Sequence, residues 1–267
     1  MKIIVPVKQV PETSAVRMDP ETGTMVRDGV EAIVNPLDLY AIETAIRLRD
    51  EYGGEAICVT MGPPKAEKAL REAISMGADA GILISDRKFA GADTYSTSHV
   101  LAEVIRSIGD YDLILCGERA TDGDTGQVGP GIAAFLDLPV ASYIGGMESV
   151  DADAGICRCL RLVEDGHEVL EVEMPAVLTV IKEIGVPRLP TLRGKQKSRN
   201  VEIENISVED GNFIESKLGL QGSPTRVVKI FRPKVTRQCE ILTVEGDESL
   251  DKATDRVVEF LAEKELI

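Results

Sequence analysis

The sequence predicts an α/β fold: a parallel, doubly wound sheet, then an antiparallel hairpin and an extended C-terminal arm. Three observations lead to this prediction. Apolar runs of strand length alternate with helical patterns as far as residue 136, a period-two pattern begins near residue 150, and the chain is poor in apolar runs after residue 190. Strands that alternate with helices need crossover connections, which produce a parallel sheet with helices on both faces.

Each predicted strand of this sheet is a continuous apolar run. A strand that is covered by helices on both faces has no polar side, so such a run is expected for it. The predicted strands are residues 2–7 (KIIVPV), 56–60 (AICVT), 80–84 (AGILI), 113–116 (LILC) and 176–181 (AVLTVI).

The predicted helices begin at capping residues and end at or near glycines. In the first helix Asn35 is the expected N-cap, Pro36 the first helical residue, and Asp38 lies beside the positive end of the helix dipole. This helix should end near Tyr52. The other predicted helices are residues 66–76, 93–107 with Asp93 as cap, the segment ending at residue 136, and residues 250–264.

The predicted hairpin pairs residues 157–164 with residues 167–173. Asp165-Gly166 between them provides the positive φ that a tight hairpin turn needs. We expect one domain over residues 1–190, and over residues 191–267 an arm that cannot form a core of its own and contains a short strand at 227–231.

Composition excludes several classes of function. The net charge of −15 and the pI near 4.7 disfavour general binding to nucleic acid or to anionic membranes. The apolar stretch at residues 3–7 is too short for the core of a signal peptide, and no run approaches the roughly 18 apolar residues of a membrane span, so a cytoplasmic protein is expected. Five cysteines without a C-x-x-C pair and only two histidines predict neither a disulfide framework nor a metal site.

One glycine-rich loop is the main candidate for binding chemistry. It follows the fourth predicted strand, where ligands of parallel sheets bind, and it leads into a helix whose free N–H groups suit phosphate. Its glycines let the backbone approach a ligand, and its threonines add hydroxyl donors. The loop consists of Gly117, Glu118, Arg119, Ala120, Thr121, Asp122, Gly123, Asp124, Thr125, Gly126, Gln127 and Val128.

Other segments follow strands that should end at the same edge of the sheet. Together with the loop they predict a nucleotide-sized cleft, in which Lys8 is expected to be the one cation. The alternatives remain a solvated turn capped by Asp124 or Thr125, and a solvated Lys8. The further candidate residues are Pro6, Val7 and Lys8; Asn35, Pro36, Leu37 and Asp38; and Met61 and Gly62.

Over nearly its whole length the chain resembles the small (beta) subunit of electron transfer flavoproteins (ETF). The resemblance implies a sheet of the adenine nucleotide alpha-hydrolase-like kind, shared with universal stress proteins, and a C-terminal part that embraces the large (alpha) subunit. It rests on five blocks in order: residues 7–13 (VKQVPET), 35–48 (NPLDLYAIETAIRL), 61–79 (MGPPKAEKALREAISMGAD), 117–130 (GERATDGDTGQVGP) and 189–199 (LPTLRGKQKSR).

Within that family the loop sequence DGDTGQVGP and the start KQVP resemble the electron-bifurcating branch. This implies a beta-subunit FAD reduced by NADH. One electron then goes to ferredoxin or flavodoxin, and the other passes through the alpha-subunit FAD to an acyl-CoA, enoyl-CoA or hydroxyacid dehydrogenase. The alternatives are a carrier that holds structural AMP and serves an acyl-CoA dehydrogenase and a quinone reductase, and a universal-stress-type nucleotide-binding module.

Residues 187–199 form the only strongly basic run of this acidic chain, and we call them the basic segment. By resemblance they correspond to a loop that docks on the dehydrogenase, with Leu192 as apolar anchor and Arg193 and Lys195 beside it. A solvated loop is the alternative. An apolar anchor surrounded by cations suits a transient docking site for an acidic partner.

Overall fold

The structure, a computed structural model, describes residues 1–12, 17–18, 25–26, 32–228 and 240–267. Two compact units make up the chain, Met1–Lys229 and Ile230–Ile267. The strands of the described residues are β1 (Lys2–Pro6), β2 (Gln9–Pro11), β3 (Arg17–Met18), β4 (Met25–Val26), β5 (Ala32–Val34), β6 (Glu55–Met61), β7 (Ala80–Ile84), β8 (Leu113–Gly117), β9 (Val140–Asp151), β10 (Ile156–Val163), β11 (Gly166–Glu173), β12 (Ala176–Val180) and β13 (Glu204–Ile206). The helices are α1 (Asp38–Tyr52), α2 (Glu67–Met76), α3 (Thr94–Ile108), α4 (Val128–Leu136), α5 (Leu192–Asn200), α6 (Gly219–Gly222) and α7 (Asp247–Glu263).

A nine-stranded sheet in the order β11-β10-β9-β12-β8-β1-β6-β7-β13 forms the centre of the first unit. The strands from β9 to β13 in this order run parallel, and the β10–β11 hairpin continues the sheet in antiparallel fashion beyond β9. The predicted parallel sheet and hairpin are therefore confirmed. Two short antiparallel pairs, β2–β5 and β3–β4, lie outside this sheet.

Both faces of the sheet are covered by helices, which explains the continuous apolar runs. Along β1, Ile3 and Val5 belong to the core beneath α1 and α2, whereas Ile4 belongs to the core beneath α3 and α4. Successive side chains of a strand point to opposite faces, so a strand between two helical layers is apolar at every position.

The hairpin turn lies one residue earlier than the sequence predicts. Val163 pairs with Gly166, so Glu164 and Asp165 form the turn and Gly166 begins the second strand. Gly166 has a φ of 146°, a conformation that favours glycine, and this fixes the residue with which the strand starts.

Several observed elements are absent from the sequence-based prediction: the short strands β2 to β5, the strands β9 and β13, and the helices α5 and α6. Strand β9 pairs in parallel with β12 and then in antiparallel fashion with β10, and its alternation is interrupted at Gly145-Gly146. Of the strand predicted at residues 227–231, residues 229–231 lie outside the described part, and Val227 and Val228 are not in a strand.

The first compact unit extends past the boundary expected at residue 190. Residues 192–228 complete it, because β13 pairs with β7 and α5 packs against α2. Ile203 and Leu218 are buried in the two cores. The few apolar residues of this stretch thus contribute to an existing core.

The second unit contains the amphipathic helix α7. It begins at Asp247, slightly before the predicted start, because Ser249 accepts backbone N–H groups at its entry. None of its residues is buried, and Leu250, Val257, Val258 and Phe260 are about half exposed.

Candidate functional site

The order of strands places a topological switch point between β1 and β8. From β1 the chain adds β6 and β7 on one side, and then crosses to add β8 and β12 on the other. Loops that leave the carboxyl ends of two such strands diverge and open a crevice, where parallel sheets bind ligands. The loop after β1 begins with Val7 and Lys8, and the loop after β8 is the glycine-rich loop, residues 117–128.

Asp38, the first residue of α1, is a buried carboxylate between these two loops. One of its oxygens accepts the backbone N–H of Lys8 at 2.7 Å, and the other accepts the side-chain amide of Asn35 at 2.8 Å. Burial raises the pKa of Asp38 to about 7, although the bonds from Asn35 and Lys8 act to lower it. The carboxylate therefore fixes the Lys8 backbone at the sheet edge.

Asn35 connects the same cluster to the glycine-rich loop. Its buried amide donates to the carbonyl of Arg119 at 2.9 Å, and its side-chain oxygen accepts the N–H of Thr121 at 3.2 Å. The expectation that Asn35 caps α1 is wrong: the helix begins at Asp38, Leu37 is at the N-cap position without a side-chain bond, and residues 35–38 form a turn. The Asn35 side chain is instead used to hold the loop.

Gly117 allows the strand end to approach α1 closely. A Cβ on this residue would lie 2.4 Å from Oδ1 of Asp38 and 2.8 Å from the carbonyl carbon of Leu37. Any side chain here would push the glycine-rich loop away from Asp38. By contrast, a Cβ on Gly123 would meet only Nζ of Lys8, at 4.0 Å.

Two cations lie at the site, and each is paired with an acid of the glycine-rich loop. Nζ of Lys8 is 2.6 Å from Asp122, and the guanidinium of Arg119 is 3.2 Å from Asp124. The sequence-based expectation that Lys8 is the one cation of the site is therefore wrong. The loop folds back so that Arg119 faces Asp124, and Arg119 is a second cation. Lys8 and Arg119 are about half exposed, so an anion from solvent can compete for them.

The N-terminus of α4 has no side-chain cap. Gln127 is at the N-cap position without such a bond, and its side chain accepts the hydroxyl of Thr94 instead. Neither Asp124, which pairs with Arg119, nor Thr125 provides the cap that a simple solvated turn would need. The first N–H groups of a helix have no acceptor within the helix, so this end of α4 suits a phosphate.

The remaining candidate residues support the edge or line it. Val7 is buried and donates its N–H to Val59 of β6, and Gly62 donates to Ile84 of β7. Gly126 has a φ of 63°, a left-handed conformation that permits the loop to reverse. Pro6 ends β1, Met61 ends β6, Pro36 and Leu37 form the turn before α1, Glu118 and Ala120 flank Arg119, and Val128 begins α4.

A cleft of about 330 Å³ lies between α3 and α4. Gln127 is the one sequence-predicted site residue among those lining it. Tyr95 and Phe135 give the cleft an aromatic wall, with ring centroids 5.2 Å apart. The buried His99 packs against Phe135.

The basic segment forms helix α5 rather than a loop over most of its length. Thr191 accepts the N–H of Gly194 as N-cap, so Leu192 begins the helix. No helix is predicted here from the sequence, because Gly194 and the repeated cations interrupt the apolar periodicity. Leu192, Arg193 and Lys195 are exposed, and Leu192 retains 88% of its accessible surface.

Among the described residues, every helix falls short of the length and apolar character that a membrane span requires. No group of three or more His, Cys, Asp or Glu side chains in the described ranges is placed to hold a metal ion. The four cysteines within those ranges are buried as free thiols, and Cys239 lies outside them.

Comparison with known proteins identifies the family. Residues 22–211 match the model of the electron transfer flavoprotein domain. The electron transfer flavoprotein subunit beta of Thermoanaerobacterium thermosaccharolyticum is 45% identical over 96% of this chain and 98% of that protein. The corresponding subunit of Clostridium acetobutylicum is 42% identical over the full length of both chains. The caffeyl-CoA reductase-Etf complex subunit CarD of Acetobacterium woodii is 41% identical, also over both full lengths. The chain therefore belongs to the electron transfer flavoprotein family, among its beta subunits.

Proposed function

We propose that this beta subunit binds FAD at the edge formed by the loops after β1 and β8, and works in electron bifurcation. The observation that carries the proposal is the uncapped N-terminus of α4, which follows the glycine-rich loop at the switch point of the sheet, where Asp122 of that loop pairs with Lys8. Cations, loop glycines and free N–H groups together suit the phosphates of a nucleotide. The beta-site residues therefore fit the phosphate end of FAD.

In this proposal each residue has a stated task. Lys8, Arg119 and the first turn of α4 hold phosphate, and Asn35 and Asp38 fix the loops that carry these donors. Thr121 and Thr125 supply hydroxyls to ribose or phosphate. The bound flavin would supply the redox chemistry, accepting a hydride from NADH and passing electrons on singly.

The partners follow from the same proposal. One electron goes to ferredoxin or flavodoxin, and the other passes through the FAD of the alpha subunit to a dehydrogenase of the acyl-CoA, enoyl-CoA or hydroxyacid type. The name of the Acetobacterium relative places that protein in a complex with a reductase of a CoA ester, which supports this class of partner. We place the complex in the cytoplasm.

The C-terminal arm is proposed to bind the alpha subunit. Helix α7 has an apolar set, Leu250, Val257, Val258 and Phe260, that is about half exposed. A surface helix of a stable protein normally buries such a set, and an alpha subunit would cover it. Residues 191–228 lie on the first unit, so within the arm expected from the sequence we assign this contact to residues 230–267.

The alternative within the family is structural AMP in the beta site. The same donors would hold a single phosphate, so the described contacts suit AMP as well as FAD. A universal-stress-type module is not retained, because the family match covers residues 22–211 and relatives align over the full chain.

Analysis of the nucleotides bound to the purified heterodimer tests the proposal. We expect two FAD per heterodimer, whereas one FAD with one AMP would establish the alternative. Gly126→Val locates the site: its left-handed φ of 63° is unfavourable for valine, and loss of one nucleotide with the other retained is expected.

The matched control for this variant is Gly109→Val. Gly109 has the same φ of 63° and lies at the end of α3, where an added Cβ meets no atom within 4 Å. It carries the same backbone strain without affecting the glycine-rich loop. Full nucleotide content in Gly126→Val, or equal loss in both variants, would remove the loop from the site.

A further inference from the structure

A buried carboxylate of α1 holds the start of the basic segment. Glu43 has a side chain that is 9% exposed, and it accepts three N–H groups from Arg188. Oε2 receives the backbone N–H at 3.0 Å and Nε at 2.8 Å, while Oε1 receives Nη2 at 3.1 Å. Nη1 of the same guanidinium lies 3.2 Å from Asp50, which is about two turns further along the same face of α1. Residue 188 is thus fixed through both its backbone and its side chain.

Further contacts hold the chain on either side of Arg188. Before it, Arg47 of α1 donates to the carbonyl of Ile184 at 3.4 Å. After it, the N–H of Thr191 donates to the carbonyl of Ser75 at the end of α2. A Cβ on Gly194 would lie 2.0 Å from that same carbonyl oxygen, so only glycine allows α5 to approach α2 this closely. Residues 184–194 therefore follow a fixed path over α1 and α2.

This fixed path leaves apolar side chains exposed to solvent. Val186, Leu189 and Leu192 retain 89%, 84% and 88% of their accessible surface. Three such residues within seven positions, all on an anchored backbone, cost free energy in water, since apolar surface is normally buried when it can be. These exposed side chains alternate along the chain with the residues whose contacts fix the backbone. The conformation that the contacts fix is therefore the one that exposes the apolar side chains.

The charge around these side chains indicates the kind of surface they fit. Arg193, Lys195 and Arg199 are exposed on α5, whereas the chain as a whole has a net charge of −15. A partner with an apolar pocket and an acidic rim is complementary to this region and is repelled by the rest of the surface.

We propose that Glu43 and Arg188 are positioning residues for docking: they hold the basic segment in the conformation that presents Val186, Leu189 and Leu192 to an acidic-rimmed pocket on the dehydrogenase. The inference rests on the proposed function, which gives this subunit a dehydrogenase partner, and on the docking role expected of this segment from its sequence. A segment that is already ordered loses less conformational entropy when it binds, so the anchor strengthens docking without touching the partner.

The test compares Glu43→Gln with wild-type heterodimer, using a purified acyl-CoA or enoyl-CoA dehydrogenase that exchanges electrons with it. The amide keeps the shape of the side chain but removes the charge and places a donor against Arg188. We expect the KM for the heterodimer to rise about tenfold with kcat and nucleotide content unchanged. Amide hydrogen exchange at residues 184–192 should become faster.

Three further variants make the outcome decisive. Glu215→Gln removes an acid from the exposed Lys88–Glu215 pair and should change neither KM nor exchange. Leu192→Ala should raise KM without changing exchange, because it removes a contact side chain and leaves the anchor intact. Arg188→Lys replaces Glu43→Gln as the test variant if Glu43→Gln does not fold. It keeps the charge but loses the forked geometry of the guanidinium, so it should give a smaller rise in KM together with faster amide exchange.

Each result has a distinct meaning. A raised KM in Leu192→Ala together with a wild-type KM in the anchor variants overturns the positioning role and leaves docking at this segment standing. A wild-type KM in Leu192→Ala and in the anchor variants overturns docking here and the positioning role with it. Faster exchange with a raised KM in Glu43→Gln or Arg188→Lys, absent in Glu215→Gln, establishes the role.

Discussion

Helix α1 carries two buried carboxylates that each hold a backbone segment of functional interest, and their charges are compensated differently. Asp38 accepts the N–H of Lys8 and the amide of Asn35, both neutral groups. Glu43 accepts the N–H and the guanidinium of Arg188. The same arrangement, a carboxylate that accepts a backbone N–H, thus occurs at the sheet edge after β1 and at the basic segment, once without a cation in contact and once with one.

The difference bears on how each region responds to pH. A carboxylate that is desolvated without a cation in contact holds its proton more tightly, and burial raises the pKa of Asp38 to about 7. At the other position the hydrogen bonds to Glu43 raise the pKa of Arg188, which therefore keeps its proton. The sheet edge after β1 should respond to pH near neutrality, because Asp38 titrates there, whereas Arg188 stays charged throughout that range.

The largest expected effect is the pH dependence that Asp38 gives to stability. In the unfolded chain Asp38 loses its proton as the pH rises above its usual pKa of 3.8, whereas in the folded protein it keeps the proton until about pH 7. The folded state binds the extra proton between these values, so the free energy of unfolding should fall as pH rises through this window, by up to about 4 kcal/mol, and level off above it. Urea denaturation of wild type and Asp38→Asn heterodimers from pH 4.5 to 8 measures the difference. Parallel profiles for the two proteins would contradict the assignment.

Next in size is the effect of a side chain at Gly117. Gly117→Ala places a Cβ 2.4 Å from Asp38, so the strand end or α1 must shift. We expect the free energy of unfolding to fall by about 2–3 kcal/mol and the nucleotide of the beta site to be lost. Gly123→Ala is the matched control in the same loop, where the added Cβ meets only Lys8 at 4.0 Å. The comparison fails if both alanines unfold at the same urea concentration.

A smaller effect, confined to docking, is expected at the basic segment. Leu192→Ala should weaken transfer to the dehydrogenase by on the order of 1–3 kcal/mol and leave reduction of the beta flavin by NADH intact. Stopped-flow reduction of that flavin and steady-state turnover with the dehydrogenase measure the two steps separately. Ile214→Ala, which truncates another half-exposed apolar side chain, should change neither. Unchanged turnover, or equal loss in both steps, would exclude the segment as docking site.

The smallest effect is expected from the half-exposed pair of Lys8 and Asp122. Asp122→Asn should change stability by less than about 1 kcal/mol, because such pairs contribute little. It frees Lys8 for phosphate, so the affinity of nucleotide-free heterodimer for AMP should rise about two- to fivefold at low salt and less at high salt. Calorimetric titration measures this, with the exposed Asp153→Asn as control. Equal affinities in the two variants would mean that Asp122 does not compete for Lys8.

The sequence predicts the parts of the fold that depend on local patterns. Helices cover both faces of the strands β1, β6, β7, β8 and β12, so the sequence of each is a continuous apolar run. Such runs can be predicted as strands without the structure. Strand β9 cannot be predicted in this way, since Gly145-Gly146 interrupts it and its partners change along its length. Helix α5 is missed because Gly194 and the repeated cations interrupt its apolar periodicity, and because it packs on α2, which is distant in the sequence.

The candidate site divides in the same way. The glycine-rich loop is identified from its place after a strand and from its composition. The contacts of Asn35 with Arg119 and Thr121 join residues more than eighty positions apart, so no local pattern reports them. For the same reason the sequence predicts Asn35 as an N-cap. The pair formed by Glu43 and Arg188 likewise cannot be predicted from a local pattern.

Strand β11 lies at one end of the nine-stranded sheet, and its composition has a consequence for self-association. Its three glutamates, Glu168, Glu171 and Glu173, line the outer strand, while Arg158 and Arg161, which pair with Glu171 and Glu168, are on the inner strand β10. Two copies that met edge to edge would bring two rows of carboxylates together and repel each other. Acidification towards the pI of about 4.7 weakens this repulsion, so growth of intermolecular β-sheet should be fastest in mildly acidic solution and slow at neutral pH.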